Sequence, residues 1–452
     1  MKFLPFLLLL SLLIRLPARA FASEEKAFTV GYGEKAIPAD LTDGSTYYVA
    51  GYRNDHPATG ILDDQYAKAV YIEDAEGRSV LLICVDCVGL SGTEAAAIRA
   101  ALSSLSSESG CKDIHIISTH DHAGADTLGL WGKEGCDGKN LAFSEKVRLA
   151  AVEAARSAYA SRSRGSLYFG SYDTSGSGIQ EDTRLPIVFD PNLYSFRFEP
   201  EDPSFPGIRI VNFASHAESL DGDNSLISAD FPAYAAKYVY ENSKSRMVWI
   251  PGAIGGLIRT RFLLRDRVAN CLETGRLIGE MILSVENERK LEPSLSVTTQ
   301  EFSVPCENPL YVLLSSLGVL SERTHAVLNK VYIDTEMSFL QIGDVPILLV
   351  PGELFPELAY GDKTGFIPND PDAALPPLTS VFGDDLLIFC LADDEIGYIP
   401  APDNYMLSSK NPYLSRTMDK NGEDHYEETN SAGPGTARCL YEAALKLKER
   451  IK

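Results

Sequence analysis

"SVLLICVDCVGLSGTEAAAIRAALSSLSSESGCKDIHIISTHDHAG", residues 79–124, decides the fold. Its aliphatic run over 79–90 reads as a buried strand, because a strand covered on both faces loses the polar alternation of a surface strand. Residues 92–107 are alanine-rich with apolar positions at helical spacing and read as a helix. "DIHIIST", 113–119, reads as the next strand. Strand, helix and strand in that order are the unit of layered α/β architecture.

The unit recurs along the chain. A helix is expected over 144–161 and a strand over 166–172. Further strands are expected over 207–215, 246–252, 344–352 and 384–392, and helices over 231–242, 264–289, 308–328 and 437–451. The pattern predicts an α/β fold of layered mixed β-sheets with flanking helices in a single large domain, without fixing the strand order. Several strands end in polar or glycine-containing turns: "STHDHAG", "NFASHAES", "IPGAIGG", "VPGELF" and "LADDEIGY". Sites in open α/β sheets form outside the strand ends, so five such turns predict one composite site.

The chain has seven histidines, and three of them fall within 115–132. His120 and His122 are one residue apart, and on extended backbone i and i+2 point to the same side. Neutral imidazole is a common zinc ligand, and a catalytic zinc keeps three protein ligands and an open position. An H-x-H pair alone is as well explained by two hydrogen-bonded loop histidines. His216 repeats the context of His120 at another strand end. Glu353, after a Pro-Gly turn, could complete a metal site or serve as the first-turn acid of a helix. "LADDEIGYIPAPDNY" concentrates acidic residues and tyrosines, which a solvated loop would also do.

The charge excludes one class of partner. With 41 basic and 63 acidic side chains the formal charge is −22, so nucleic acid, which needs basic clusters, is not expected. The chain opens MKFLPFLLLLSLLIRLPARAFAS, a lysine, an apolar run and small-x-small cleavage patterns. This predicts a signal peptide over 1–22 and an exported mature protein without an integral membrane segment. Of eight cysteines, Cys84 and Cys87 read as buried thiols, and Cys111 with Cys136 is a candidate disulfide.

Taken in order, "ISTHDHAGADTLGLWG", "NFASHAESL…ISADFP", "IPGAIGG", "VPGELFPEL", "LADDEIGYIP" and "YEETNSAGPGTA" resemble segments of the neutral/alkaline (non-lysosomal) ceramidase family, in particular its shorter bacterial relatives. The likeness runs from about residue 28 to 440. It implies a ceramidase catalytic-domain-like fold over 23–452, one Zn²⁺, and hydrolysis of an amide (N-acyl) bond. Matched by position, His120, His216, Glu353 and Tyr398 look like the zinc ligands, and His122 like the histidine that contacts the substrate carbonyl. Arg184 in "DTRLPIVFD" is similar, more loosely, to a family arginine near the site, and would bind a polar or anionic part of the substrate.

Two features depart from the family. Gly255 stands where ceramidases have a serine, and no serine occurs between Ser245 and Ser284. The chain also stops soon after its last motif, which implies a relative without the immunoglobulin-like C-terminal domain. The resemblance therefore implies a small-molecule or lipid-like amide substrate without naming it, and leaves the oligomeric state open. A metal-dependent esterase or phosphoesterase and an inactive, ceramidase-like binding protein remain alternatives. Asp86 and Asp121 are candidates to orient the ligating histidines from behind. Glu427 and Glu428 have no assigned role.

Overall fold

The computed structural model describes residues 26–320 and 323–451. The expected signal peptide, 1–22, lies outside the described residues. The first sheet comprises β1 (Phe28–Ile37), β2 (Gln65–Glu73), β3 (Ser79–Val85), β4 (Asp113–Ser118), β5 (Ser163–Asp173), β6 (Asn192–Pro200), β7 (Ile208–Phe213), β8 (Arg246–Pro251) and β9 (Glu286–Lys290). Their spatial order is β8-β7-β6-β5-β1-β2-β3-β4, with β9 added to β5. The outer pairs β8/β7 and β3/β4 are parallel and the strands between them antiparallel, which makes the sheet mixed.

A second sheet comprises β10 (Leu295–Cys306), β11 (Thr324–Val327), β12 (Lys330–Ile342), β13 (Val345–Leu349) and β14 (Leu387–Phe389). Its order is β10-β12-β13-β14, with β11 also on β12, and only β13/β14 is parallel. Helices α1 (Gly92–Ala101) and α2 (Ser103–Ser109) connect β3 to β4. Four more are α3 (Leu141–Ala160), α4 (Asp230–Ser243), α5 (Arg267–Leu283) and α6 (Pro309–Ser316), and α7 (Thr436–Arg450) ends the described chain.

The alternation of β3 shows how the layers stack. Val80, Leu82 and Cys84 face Leu340, Ile347, Leu349 and Phe389 of the second sheet. Leu81, Ile83 and Val85 face Ala150, Ala151 and Ala154 of α3. Helices α4 and α5 cover the same outer face over Val211, Phe213 and Trp249, while α7 covers the far face of the second sheet over Met337, Phe339 and Ile388. The order is therefore helix, sheet, sheet, helix. Glycines at 31 and 33 let α3 lie directly on β1, since a Cβ at either would fall on the carbonyl oxygens of Ala158 and Ala154.

Three expected helices differ from those observed. The one over 92–107 breaks at Leu102 into α1 and α2. The one over 264–289 stops at Leu283, and its tail becomes β9. The one over 308–328 stops at Ser316 and returns as β11. Cys84 and Cys87 are buried in different cores, Cys84 on β3 and Cys87 in the bend that follows it. The Cys111–Cys136 pairing is not formed: all eight cysteines are free, with Cys111 buried and Cys136 exposed. No described helix is long and apolar enough to cross a membrane.

Candidate metal centre

Four of the five strand-end turns bring side chains to one place, and the fifth, 250–256, packs against the segment that carries Glu353. His120 follows β4, but not on extended backbone: its φ is +59°, in the left-handed region. That kink, not strand periodicity, brings the His120 and His122 rings to 4.6 Å. His216, after β7, lies 4.8 Å from the His120 ring and 5.3 Å from that of His122. The three histidines each offer a nitrogen within 4.8 Å of the others, and all are buried.

Glu353 arrives from the second sheet. Beyond β13, Gly352 turns the chain at φ +96°, where a Cβ would come within 2.5 Å of the Gly397 carbonyl. Glu353 and Leu354 then pair in parallel with Tyr398 and Ile399, which sets Glu353 directly beside Tyr398. The following helix begins at Pro356 with Glu357 as its first-turn acid, so Glu353 stands ahead of it.

The hydrogen bonds fix the tautomers. His120 Nδ1 lies 2.7 Å from the Val88 carbonyl and His216 Nδ1 2.7 Å from the Ile258 carbonyl. A carbonyl oxygen can only accept, so each Nδ1 carries the hydrogen and each Nε2 of a neutral ring presents a lone pair. Those two Nε2 atoms stand 3.3 and 3.1 Å from the same oxygen, Glu353 Oε2. Three acceptors converge there, an arrangement that repels itself unless a proton or a metal cation sits among them. Burial works against ionised Glu353, yet the adjacent His120 and His216 hold its carboxyl far below the usual range. Burial likewise opposes a charged His216, but the hydrogen bond to Glu353 and the nearby Glu218 carboxylate outweigh it and raise its pKa. The donor set, imidazole nitrogens with a carboxylate, is the set zinc prefers.

His122 differs from the other two. Neither of its ring nitrogens has a hydrogen-bond partner among the described residues, and burial, with His120 and His216 adding to it, pushes its pKa well down, so the ring is neutral. Its Nδ1 is 3.8 Å from Glu218 Oε2, which accepts a 2.7 Å hydrogen bond from Tyr52 Oη. Tyr398 is buried, and burial followed by the charge of Glu353 drives its hydroxyl pKa upward. His120, His122, Glu353 and Tyr398 line one cavity.

Arg184 does not line that cavity. Its Nη1 donates to Glu427 Oε2 and its Nη2 donates to Glu428 Oε1 at 2.8 Å, in a buried network that includes His425. Asp86 and Asp121 do not support the histidines. Asp86 accepts from the backbone of Tyr66 at 2.9 Å and Asp121 from that of Ala123 at 2.9 Å, so backbone carbonyls take the role expected of these carboxylates. The lining residues absent from the expected set include five with polar or aromatic side chains: Trp131, Tyr311, Glu395, Tyr426 and Asn430. Glu395 sits three residues before Tyr398 in the same strand-end turn, which was the one available signal.

No family model matches the chain, and no curated protein does. Solved structures match closely in shape. Neutral ceramidase from Pseudomonas aeruginosa superposes with a TM-score of 0.69 at 16% identity, over 95% of this chain and 75% of that one. A ceramidase complexed with C2 gives 0.71, again at 16% identity, over 94% and 76%. The chain therefore has the neutral ceramidase fold.

Proposed function

We propose that this chain is a zinc-dependent hydrolase that cleaves an amide (N-acyl) bond in a small-molecule or lipid-like substrate. The observation that carries the reading is the convergence of two Nε2 lone pairs and a carboxylate oxygen on one point of a buried site. His120, His216 and Glu353 would hold the ion, with Tyr398 completing the set. When bound, the ion supplies a Lewis acid and acidifies water, the chemistry by which zinc hydrolases work near neutral pH.

The remaining residues act on the substrate. His122, neutral and without a partner for either nitrogen among the described residues, can donate a hydrogen bond to the amide carbonyl oxygen as negative charge builds there. Such a group contributes on the order of 10²–10³-fold. Arg184 works at one remove: its pairing with Glu427 and Glu428 anchors the segment whose Tyr426 and Asn430 line the cavity. Export directed by residues 1–22, and a single hydrolase domain over 23–452, belong to the same proposal. N-terminal sequencing of the protein recovered from an export-competent host checks the leader.

Gly255 favours a second reading, a binding protein that keeps the fold and the metal. A Cβ there would lie 2.6 Å from the Glu353 carbonyl, so the serine found in ceramidases has no room. Elemental analysis of untagged protein and turnover of a chromogenic amide panel decide between them. About one zinc per chain, with turnover lost on chelation and regained on zinc addition, supports the hydrolase. Zinc without turnover favours the binder, and no metal after zinc addition at neutral pH overturns both.

A further inference from the structure

One carboxylate in the cavity is not used by the mechanism above. Glu395 is 7% exposed and lines the same cavity as His120, His122 and Glu353. Its Oε1 accepts from the Gly397 backbone at 3.0 Å, which pins the side chain, while its buried Oε2 has no hydrogen-bond partner among the described residues. The glycine at position 89 leaves the space the side chain passes through, since a Cβ there would meet Glu395 Cγ at 2.7 Å. Burial, and then the charge of Glu353, push the Glu395 carboxyl well above its usual range, so its ionised form needs a cation beside the unpaired oxygen.

The walls around it limit what that is. Val88, Leu128, Leu130, Trp131 and Leu320 form an apolar side, and no described lysine or arginine lines the cavity. We infer that Glu395 Oε2 is the recognition point for a protonated amino group on the substrate, whose apolar part lies against the Trp131 wall. The substrate class is then an N-acyl compound bearing an ammonium group near the scissile amide. The net charge of −22 draws such cations toward the protein. In naming the substrate the inference rests on the hydrolase reading. The site itself does not.

The test separates the two. Binding of a short alkylammonium ion and of the alkanol of equal length to the zinc-loaded protein is measured by calorimetry, for wild type, Glu395→Gln and the shortened Glu395→Asp. The expected result is an ammonium preference of about tenfold in wild type, the worth of one charge-assisted hydrogen bond, reduced in Glu395→Asp and abolished in Glu395→Gln with zinc content unchanged. Equal binding of both probes to wild type, or a preference that survives Glu395→Gln, overturns the inference. Loss of zinc in Glu395→Gln also overturns it, by making Glu395 a metal ligand. In a second arm, an N-acyl diamine is compared with its N-acyl alkylamine counterpart. Hydrolysis of both at equal kcat/KM overturns the inference and leaves the hydrolase intact. Hydrolysis of neither, with the ammonium preference present, removes the hydrolase reading and leaves the ammonium site standing.

Discussion

Of the buried clusters of ionisable groups among the described residues, the one around Arg184 and the one around His120 differ in what faces what. At Arg184 a guanidinium, which can only donate, meets the carboxylates of Glu427 and Glu428, which when ionised can only accept. At His120 the Nε2 lone pairs of two histidines meet a carboxylate oxygen, acceptor against acceptor. Both are equally hidden from water, so burial alone does not separate structure from function. Complementarity does: the first cluster sets donors against acceptors, although Arg184 Nε, Glu427 Oε1 and His425 Nε2 have no hydrogen-bond partner among the described residues, and the second needs a proton or a metal cation among its acceptors.

The largest effects should follow from removing that convergence. His120→Ala, His216→Ala and Glu353→Ala are each expected to lose the metal, with amide turnover falling by more than the roughly 10–100-fold that removal of an outer partner costs. Elemental analysis and rates measured at fixed zinc check this. Full zinc occupancy in these variants would break the comparison, because the acceptors would then be holding only a proton.

Arg184→Ala tests the other side. Removing one partner of a buried ion pair leaves an uncompensated charge and costs about 3–5 kcal/mol. Urea unfolding should show that loss while zinc per folded chain stays unchanged. A stable Arg184→Ala protein without zinc or turnover would move Arg184 into the site.

The same network has a pH signature. Burial raises the Glu427 carboxyl to about 7, against the pull of Arg184, from an ordinary value of 4.5. The folded state therefore binds this proton more tightly than the unfolded chain. The resulting stability is complete below pH about 4.5 and is lost as pH rises through about 7, at most roughly 3 kcal/mol. Unfolding of metal-free wild type and Glu427→Gln at pH about 5 and about 8 isolates the contribution. The variant should show the shallower decline, and identical slopes would remove Glu427 as its source.

Much of this could be read in the chain, and the physical reason for each miss is specific. Strands β3, β4, β7 and β8 are mostly apolar and almost wholly buried because both faces are covered, and such runs are conspicuous. β9, "ENERK", is mostly exposed and polar and carries no periodic signal, so the helix before it was extended through it. α6 has no buried residue despite its leucines, and nothing local marked where it stops. The turns that build the site were legible because each closes an apolar strand with residues that strands disfavour. The convergence of His120 and His122 was read correctly for the wrong reason, since it depends on a left-handed residue and not on strand alternation. Arg184 looked free because Glu427 and Glu428 are more than 240 residues away in sequence, and no local pattern announces a partner at that distance.

The smallest expected effect concerns the packing that holds the acceptors in place. Gly255 donates its N–H to the Leu354 carbonyl at 2.9 Å, and the Glu353 and Leu354 backbone lies against its α-carbon. Gly255→Ser, which would restore the serine of ceramidases, puts a side chain into the Phe355 ring and within 2.6 Å of the Glu353 carbonyl. Overpacking of this kind costs about 1–3 kcal/mol, and here the strain falls on the segment that carries Glu353. The variant should therefore be less stable, bind zinc more weakly and gain no turnover of ceramide. Gly255→Ala separates bulk from chemistry: it should share the stability loss, because the clash is with Cβ. A Gly255→Ser protein with unchanged stability and new ceramidase activity would mean that the backbone around Glu353 yields, and that the two clusters differ in rigidity as well as in complementarity.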